Sequence, residues 1–179
     1  FLDKNLLKET KEKEILLRLL EKIFINISGT IYPPRRNKLE NILYWIKEDN
    51  NLAARTLAGV VARKRKSEFI FYREPANCYK SESIKLMTSR YNCWDDRFFL
   101  KANKSNNFEV KALGDLGITI LKDKKMLKRQ GFRNVPLSAW KTIPSVWSKK
   151  RLISVPTLGY CKQKDLKIYI KSNKNTEIH

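Results

Sequence analysis

The stretch Thr56-Leu57-Ala58-Gly59-Val60-Val61-Ala62-Arg63-Lys64-Arg65-Lys66-Ser67-Glu68-Phe69-Ile70-Phe71-Tyr72-Arg73 is where the chain changes its period. β-branched and aromatic residues crowd both ends of it, and these side chains fit a pleated, half-buried surface better than a helix. The pattern predicts strands over 56–62 and 68–73. Arg63-Lys64-Arg65-Lys66 would form a basic loop between them, closed by Ser67.

Before this stretch the period is helical. Leu16, Leu19, Leu20, Ile23 and Ile27 follow i, i+3, i+4, i+7, i+11, one face of an amphipathic helix, and Ser28-Gly29 ends it. Leu39, Ile42, Leu43 and Ile46 mark a second helix that frays at Asp49-Asn50-Asn51. Between the two lies the corner Tyr32-Pro33-Pro34-Arg35-Arg36, where the prolines enforce extended backbone before the helix.

After it, Pro75-Ala76-Asn77 stops the second strand, and residues 76–92 are polar and poorly patterned, the best linker candidate. Arg97–Leu100 and Phe108–Ala112 read as strands across the polar turn Asn103–Asn107. Ile118, Leu121 and Met126 suggest a short helix ending at Gly131, and Pro136–Trp140 a helical turn. Leu152–Val155 and Leu166–Ile170 close the series as strands. The expected class is α+β: a helical unit with a basic hairpin over 1–75, a linker over 76–92, and a small basic α+β domain over 93–179.

The 179 residues carry 38 Lys+Arg against 18 Asp+Glu, a formal charge of +20, and such an excess points to a polyanionic partner. Residues 1–50 are net +2, residues 51–100 net +5 and residues 101–179 net +13, so the field is strongest toward the C-terminal end. No apolar run approaches the roughly 18 residues needed to cross a bilayer, which favours nucleic acid over membrane. Cys78, Cys93 and Cys161 are odd in number and lack C-x-x-C spacing. With no signal peptide in sight, they read as reduced thiols of a cytoplasmic protein.

Catalytic apparatus is missing from the sequence. The single histidine is the terminal His179, so no Ser/His or Cys/His arrangement exists, and one His with three scattered Cys gives no zinc spacing. There is no G-x-x-x-x-G-K-[ST] or G-x-G-x-x-G. Leu113-Gly114-Asp115-Leu116-Gly117 reads as a turn. In Trp94-Asp95-Asp96-Arg97 the adjacent carboxylates point apart on a strand, so turn formation or pairing with Arg97 accounts for them better than a dyad. The candidate RNA-binding residues are therefore the cation clusters: Arg35 and Arg36 on the stiff corner; Arg63, Lys64, Arg65 and Lys66; Lys124 and Lys125; and Lys149, Lys150 and Arg151. Runs of like charge repel one another unless an anion is near, and guanidinium forks match phosphate oxygens. The tryptophans Trp45, Trp94, Trp140 and Trp147 read as core anchors rather than stacking platforms.

Several phrases in order carry a resemblance. They are Tyr32-Pro33-Pro34-Arg35-Arg36, Ala54-Arg55-Thr56-Leu57-Ala58-Gly59, Tyr72-Arg73-Glu74-Pro75 and Trp94-Asp95-Asp96-Arg97-Phe98, then Ile143-Pro144-Ser145-Val146-Trp147 and Val155-Pro156-Thr157-Leu158-Gly159-Tyr160. Over about residues 15–160 the series resembles the C-terminal region of a tRNA(Ile)-lysidine synthetase of the alphaproteobacterial type. The resemblance implies a parent ligase that uses ATP and Mg to attach lysine to the wobble cytidine of a minor isoleucine tRNA. It implies that catalysis belongs to an N-terminal PP-loop domain with a Ser-Gly-Gly-x-Asp-Ser loop. That loop is absent from this sequence, so the chain would be an inactive fragment with no cofactor of its own, gripping the tRNA body. Two residues depart from the family pattern: Asp96 stands where a glycine is expected, and Ala58 where a second glycine is common. The alternative is a free-standing basic RNA-binding protein without catalytic activity.

Overall fold

The computed structural model describes residues 2–3, 10, 12–47, 53–65, 67–104, 107–123 and 134–173. The fold is α+β. Contacts divide the chain into two compact units; among the described residues the first runs to Glu74 and the second spans Pro75–Asn173.

In the first unit, helices α1 (Lys13–Ser28) and α2 (Arg36–Lys47) cover one face of a four-stranded antiparallel sheet. Its strands are β1 (Leu2–Asp3), β2 (Arg55–Leu57), β3 (Val60–Lys64) and β4 (Glu68–Arg73), in the order β1-β4-β3-β2. Gly29, at φ 78°, ends α1 in a left-handed conformation and donates its N–H to Ile25 O at 3.0 Å. The buried stripe of α1 is Leu16, Leu17, Leu20 and Phe24, turned slightly from the predicted one; Leu19, Ile23 and Ile27 are half-buried beside it. Leu39, Ile42, Leu43, Trp45 and Ile46 of α2 meet this stripe together with Val60, Ala62 and Phe69 of the sheet. Phe24–Phe71 and Trp45–Phe69 are edge-on pairs with centroids 6.1 Å apart.

The strand predicted over 56–62 is instead a hairpin. Ala58 and Gly59 take φ values of 48° and 73°, a two-residue turn whose twist suits the right-handed twist of its strands. Left-handed backbone strains a residue with a Cβ, so Ala58 stands in a glycine's place at some cost. The basic loop expected over Arg63–Lys66 is also shorter. Arg63 and Lys64 belong to β3, in register with Ile70 and Phe69, and Arg65 N–H closes the turn on Glu68 O at 2.8 Å.

The second unit layers two sheets and a helix. Strands β5 (Ile84–Lys85), β8 (Glu109–Ala112), β9 (Pro144–Ser148), β10 (Arg151–Val155) and β11 (Tyr160–Cys161) form a five-stranded antiparallel sheet in the order β11-β10-β9-β8-β5. Strands β6 (Asn92–Trp94), β7 (Phe98–Ala102) and β12 (Ile168–Ser172) form a second sheet in the order β12-β7-β6. Trp94, Leu100 and Ala102 of the smaller sheet pack with Val110, Val146 and Ile153 of the larger one. Helix α4 (Gly114–Asp123) covers the opposite face of the larger sheet, where Leu113, Ile118 and Leu121 meet Trp147, Leu152 and Val155. Val146 and Trp147 thus face different cores, which is why β9 is apolar on both sides.

Residues 76–92, which read as polar and unpatterned, hold most of the short helix α3 (Pro75–Cys78) and all of β5. Cys78 and Leu86 are buried in the core between the sheets. Leu113–Gly117 is the start of α4 rather than a free turn, and a short helix α5 spans Leu137–Trp140. The expected helix end at Gly131 lies outside the described residues. Among the described residues no helix is long and apolar enough to cross a membrane.

Candidate nucleic-acid interface

At the proline corner Arg35 is exposed, and its carbonyl accepts the first helical N–H groups, from Lys38 at 2.9 Å and Leu39 at 3.2 Å. The Arg35 side chain has no ion pair among the described residues. Arg36 is committed elsewhere. Its guanidinium forks onto the Glu14 carboxylate, with Nη1 3.2 Å from Oε2 and Nη2 on Oε1, and its Nε lies 3.6 Å from Glu40 Oε1. Lys13 Nζ completes the cluster at 2.8 Å from Glu40. The hydrogen bond from Arg36 holds the Glu14 carboxyl below the usual carboxylate range, and that from Lys13 does the same for Glu40. Two neighbouring arginines therefore differ: Arg36 ties the start of α2 to the start of α1, while Arg35 faces solvent.

The hairpin cations also separate. Arg63 is exposed on β3. Lys64 lies on the other face, buried, with its Nζ 4.9 Å from the Trp45 ring centroid. Arg65 is half-exposed and pairs with Glu68 at 3.4 Å. Strand alternation is the physical reason: residues 63 and 64 must point to opposite faces once both join the ladder. Lys66, Lys124 and Lys125 lie outside the described residues. Lys149 and Lys150 form the two-residue turn between β9 and β10, with Lys149 at φ 53°, and Arg151 opens β10; all three are exposed. Among the described residues, these three cations are the predicted group that one tight turn displays together to solvent.

Asp95 and Arg97 are structural. The β6–β7 turn places Asp95 and Asp96 both at φ 52°, and only Asp95 turns inward. Its carboxylate receives Arg97 Nε and the Ser81 hydroxyl at 2.5 Å, and Arg97 Nη2 donates to Thr142 O at 2.6 Å. Trp45, Trp94 and Trp147 are buried and Trp140 is half-buried.

A surface that charge counting passed over is the outer face of the three-stranded sheet. Register sets Lys101 opposite Tyr169, and Phe99 opposite both Lys171 and Cys93. Tyr91 precedes β6 by one residue, in step with Lys101. Lys171 Nζ lies 4.8 Å from the Tyr91 ring centroid. An open concavity of about 390 Å³ is lined by Thr88, Tyr91, Lys101, Ala102, Asn103 and Tyr169. The alternation Leu100-Lys101-Ala102 and Ile168-Tyr169-Ile170-Lys171 is legible in the sequence, but its pairing with residue 91 is not.

The fold and these surfaces define a strongly basic, two-unit α+β chain with cations displayed on tight turns and on one sheet face. Over 153 residues it is 28% identical to the tRNA(Ile)-lysidine synthase of Ruegeria pomeroyi (strain ATCC 700808 / DSM 15171 / DSS-3). The match takes in 84% of this chain and 32% of the relative, so the chain is a distant homologue spanning about a third of that protein. No family profile matches the chain, and no solved structure matches it.

Proposed function

We propose that the chain is the tRNA-gripping part of a tRNA(Ile)-lysidine synthetase, the ATP-dependent ligase that attaches lysine to the wobble cytidine of a minor isoleucine tRNA. The observation that carries this reading is the likeness to the Ruegeria enzyme along most of the chain. The charge of +20 supports it, as does the display of Arg35, Arg63 and the Lys149–Arg151 turn to solvent. This sequence contains no Ser-Gly-Gly-x-Asp-Ser loop, so ATP and Mg chemistry falls to a PP-loop domain outside it. The role left to these residues is to hold the tRNA body by its phosphates in the cytoplasm.

Binding of a minor isoleucine tRNA and of an unrelated tRNA, titrated against salt, tests the reading. Neutralising about five phosphates gives a log–log slope near −3 to −5. A slope near zero would remove charge as the determinant. A preference for the isoleucine tRNA favours the synthetase part over a free-standing basic RNA-binding protein, whereas equal affinity means that phosphate contacts alone hold the RNA. Calorimetry with Mg-ATP should show no saturable heat, and a micromolar site would overturn the assignment of ATP chemistry to another domain.

A further inference from the structure

We infer that the outer face of the β12-β7-β6 sheet is a platform for unpaired bases of an RNA strand. Tyr91 and Tyr169 stack bases, and Lys101 and Lys171 meet the phosphates between them. The inference rests on the RNA-binding reading above and adds where single-stranded, rather than duplex, RNA is taken.

The inner face of this sheet is spoken for by the apolar core, so the outer face is the one left to function. Tyr91 is 37% exposed and Tyr169 is 48% exposed, although both sit beside a well-packed core. The β12–β7 register and the step before β6 put Tyr91, Lys101 and Tyr169 in one row across three strands. At a strand spacing of about 4.8 Å, the backbone positions of the two tyrosines are roughly 10 Å apart, with Lys101 on the strand between them. The concavity over this row, about 390 Å³, has the size of a small-ligand site and suits a planar base.

Lys171 reaches across the position of Phe99 and places its ammonium 4.8 Å from the Tyr91 ring centroid, so a cation stands beside the ring that a base would meet and can turn to its phosphate. The nearby acid Asp165 is matched by Lys104 at 3.5 Å, so it does not cancel the positive field of the face. Asn103 is held at the edge of the dish by Nδ2 donating to Asp165 O at 3.0 Å and Oδ1 accepting Lys167 N–H at 2.8 Å. Exposed aromatic rings between cations on a sheet are the chemistry that holds single strands, because every base has a π-face and every nucleotide a phosphate. A duplex hides its base faces and offers phosphates alone, which fits the Lys149–Arg151 turn instead. A partner protein would leave the lysines facing no polyanion.

The test uses the whole chain and two fluorescein-labelled RNAs, an unstructured eight-nucleotide strand and a blunt duplex, read by anisotropy. Tyr91→Ala with Tyr169→Ala should weaken single-strand binding about tenfold or more, while duplex binding stays within twofold. Tyr91→Phe with Tyr169→Phe, which keeps the rings, should bind both RNAs as the unaltered chain does. Should the alanine pair fail to fold, Lys101→Gln with Lys171→Gln should flatten the single-strand salt slope by about one to two units and leave the duplex slope in place. Unchanged single-strand affinity in the alanine pair, or equal loss on both RNAs from a folded variant, overturns the platform while leaving the RNA-binding reading intact. An unaltered chain that binds neither RNA overturns both.

Discussion

Arg97→Met removes one guanidinium from the interior of the second unit and keeps the apolar stem. The Arg97 side chain is 9% exposed and that of Asp95 is 1% exposed, so neither charge can be rescued by water. Arg97 also lies over the Phe98 ring at 4.9 Å and the Trp94 ring at 5.9 Å, and it reaches Thr142 O. Breaking a buried pair by deleting one member leaves the other charge uncompensated, at about 3–5 kcal/mol. Set against a total of roughly 5–15 kcal/mol for a domain, that is a large share. At about 4–8 °C per kcal/mol, the transition of this unit should fall by more than about 10 °C.

Asp95→Asn is the milder partner. Asparagine tolerates the φ of 52°, and its single amide oxygen still accepts from one of the two donors, Arg97 Nε or the Ser81 hydroxyl, which meet separate carboxylate oxygens of Asp95. In the double variant no charge is left stranded, so its loss should be smaller than the sum of the two single losses by more than about 1 kcal/mol. Thermal and urea denaturation of the full chain, followed by far-ultraviolet circular dichroism and tryptophan emission, measure the midpoint shift and the coupling, and Trp94 is the tryptophan beside the Asp95–Arg97 pair. Additive losses, or a loss under about 1 kcal/mol for Arg97→Met, would refute the view that this pair holds the turn, α3 and Thr142 together.

The two arginines of the proline corner should come apart in binding and in stability. Arg35→Gln should flatten the tRNA salt slope by about one unit with an unchanged thermal midpoint, whereas Arg36→Gln should lower the midpoint and change the slope less; equal behaviour would contradict the geometry. The Glu14 carboxyl, held below its ordinary 4.5 by Arg36, contributes stability that is full above that value and is lost as pH falls through its lower folded value. Glu14→Gln should therefore show a smaller fall in thermal midpoint between about pH 5 and pH 3 than the unaltered chain, and an identical fall would place the acid sensitivity elsewhere.

What could be read in advance follows from which interactions are local. The helices α1 and α2 and the strand β4 were legible because one apolar face repeats at one period within a short window. The Ala58-Gly59 turn was not, because Ala58 carries no sign of left-handed backbone unless a glycine is expected there. Strand β9 was hidden for the opposite reason: Ser145, Val146 and Trp147 are all buried, since the strand separates two cores and shows no alternation. At the surface, counting cations found the exposed turn Lys149–Arg151 but gave the same weight to Lys64, which its strand position turns inward under Trp45. Counting also missed Lys101 and Lys171, which are isolated in sequence and become neighbours of Tyr91 and Tyr169 only when β6 and β12 meet on either side of β7. A charge run records how many cations a segment has; which of them can reach a phosphate is decided by register. On the proposed RNA-binding reading, the sheet face, with few charges but two rings aligned beside them, would tell single-stranded from duplex RNA better than the longer basic runs can.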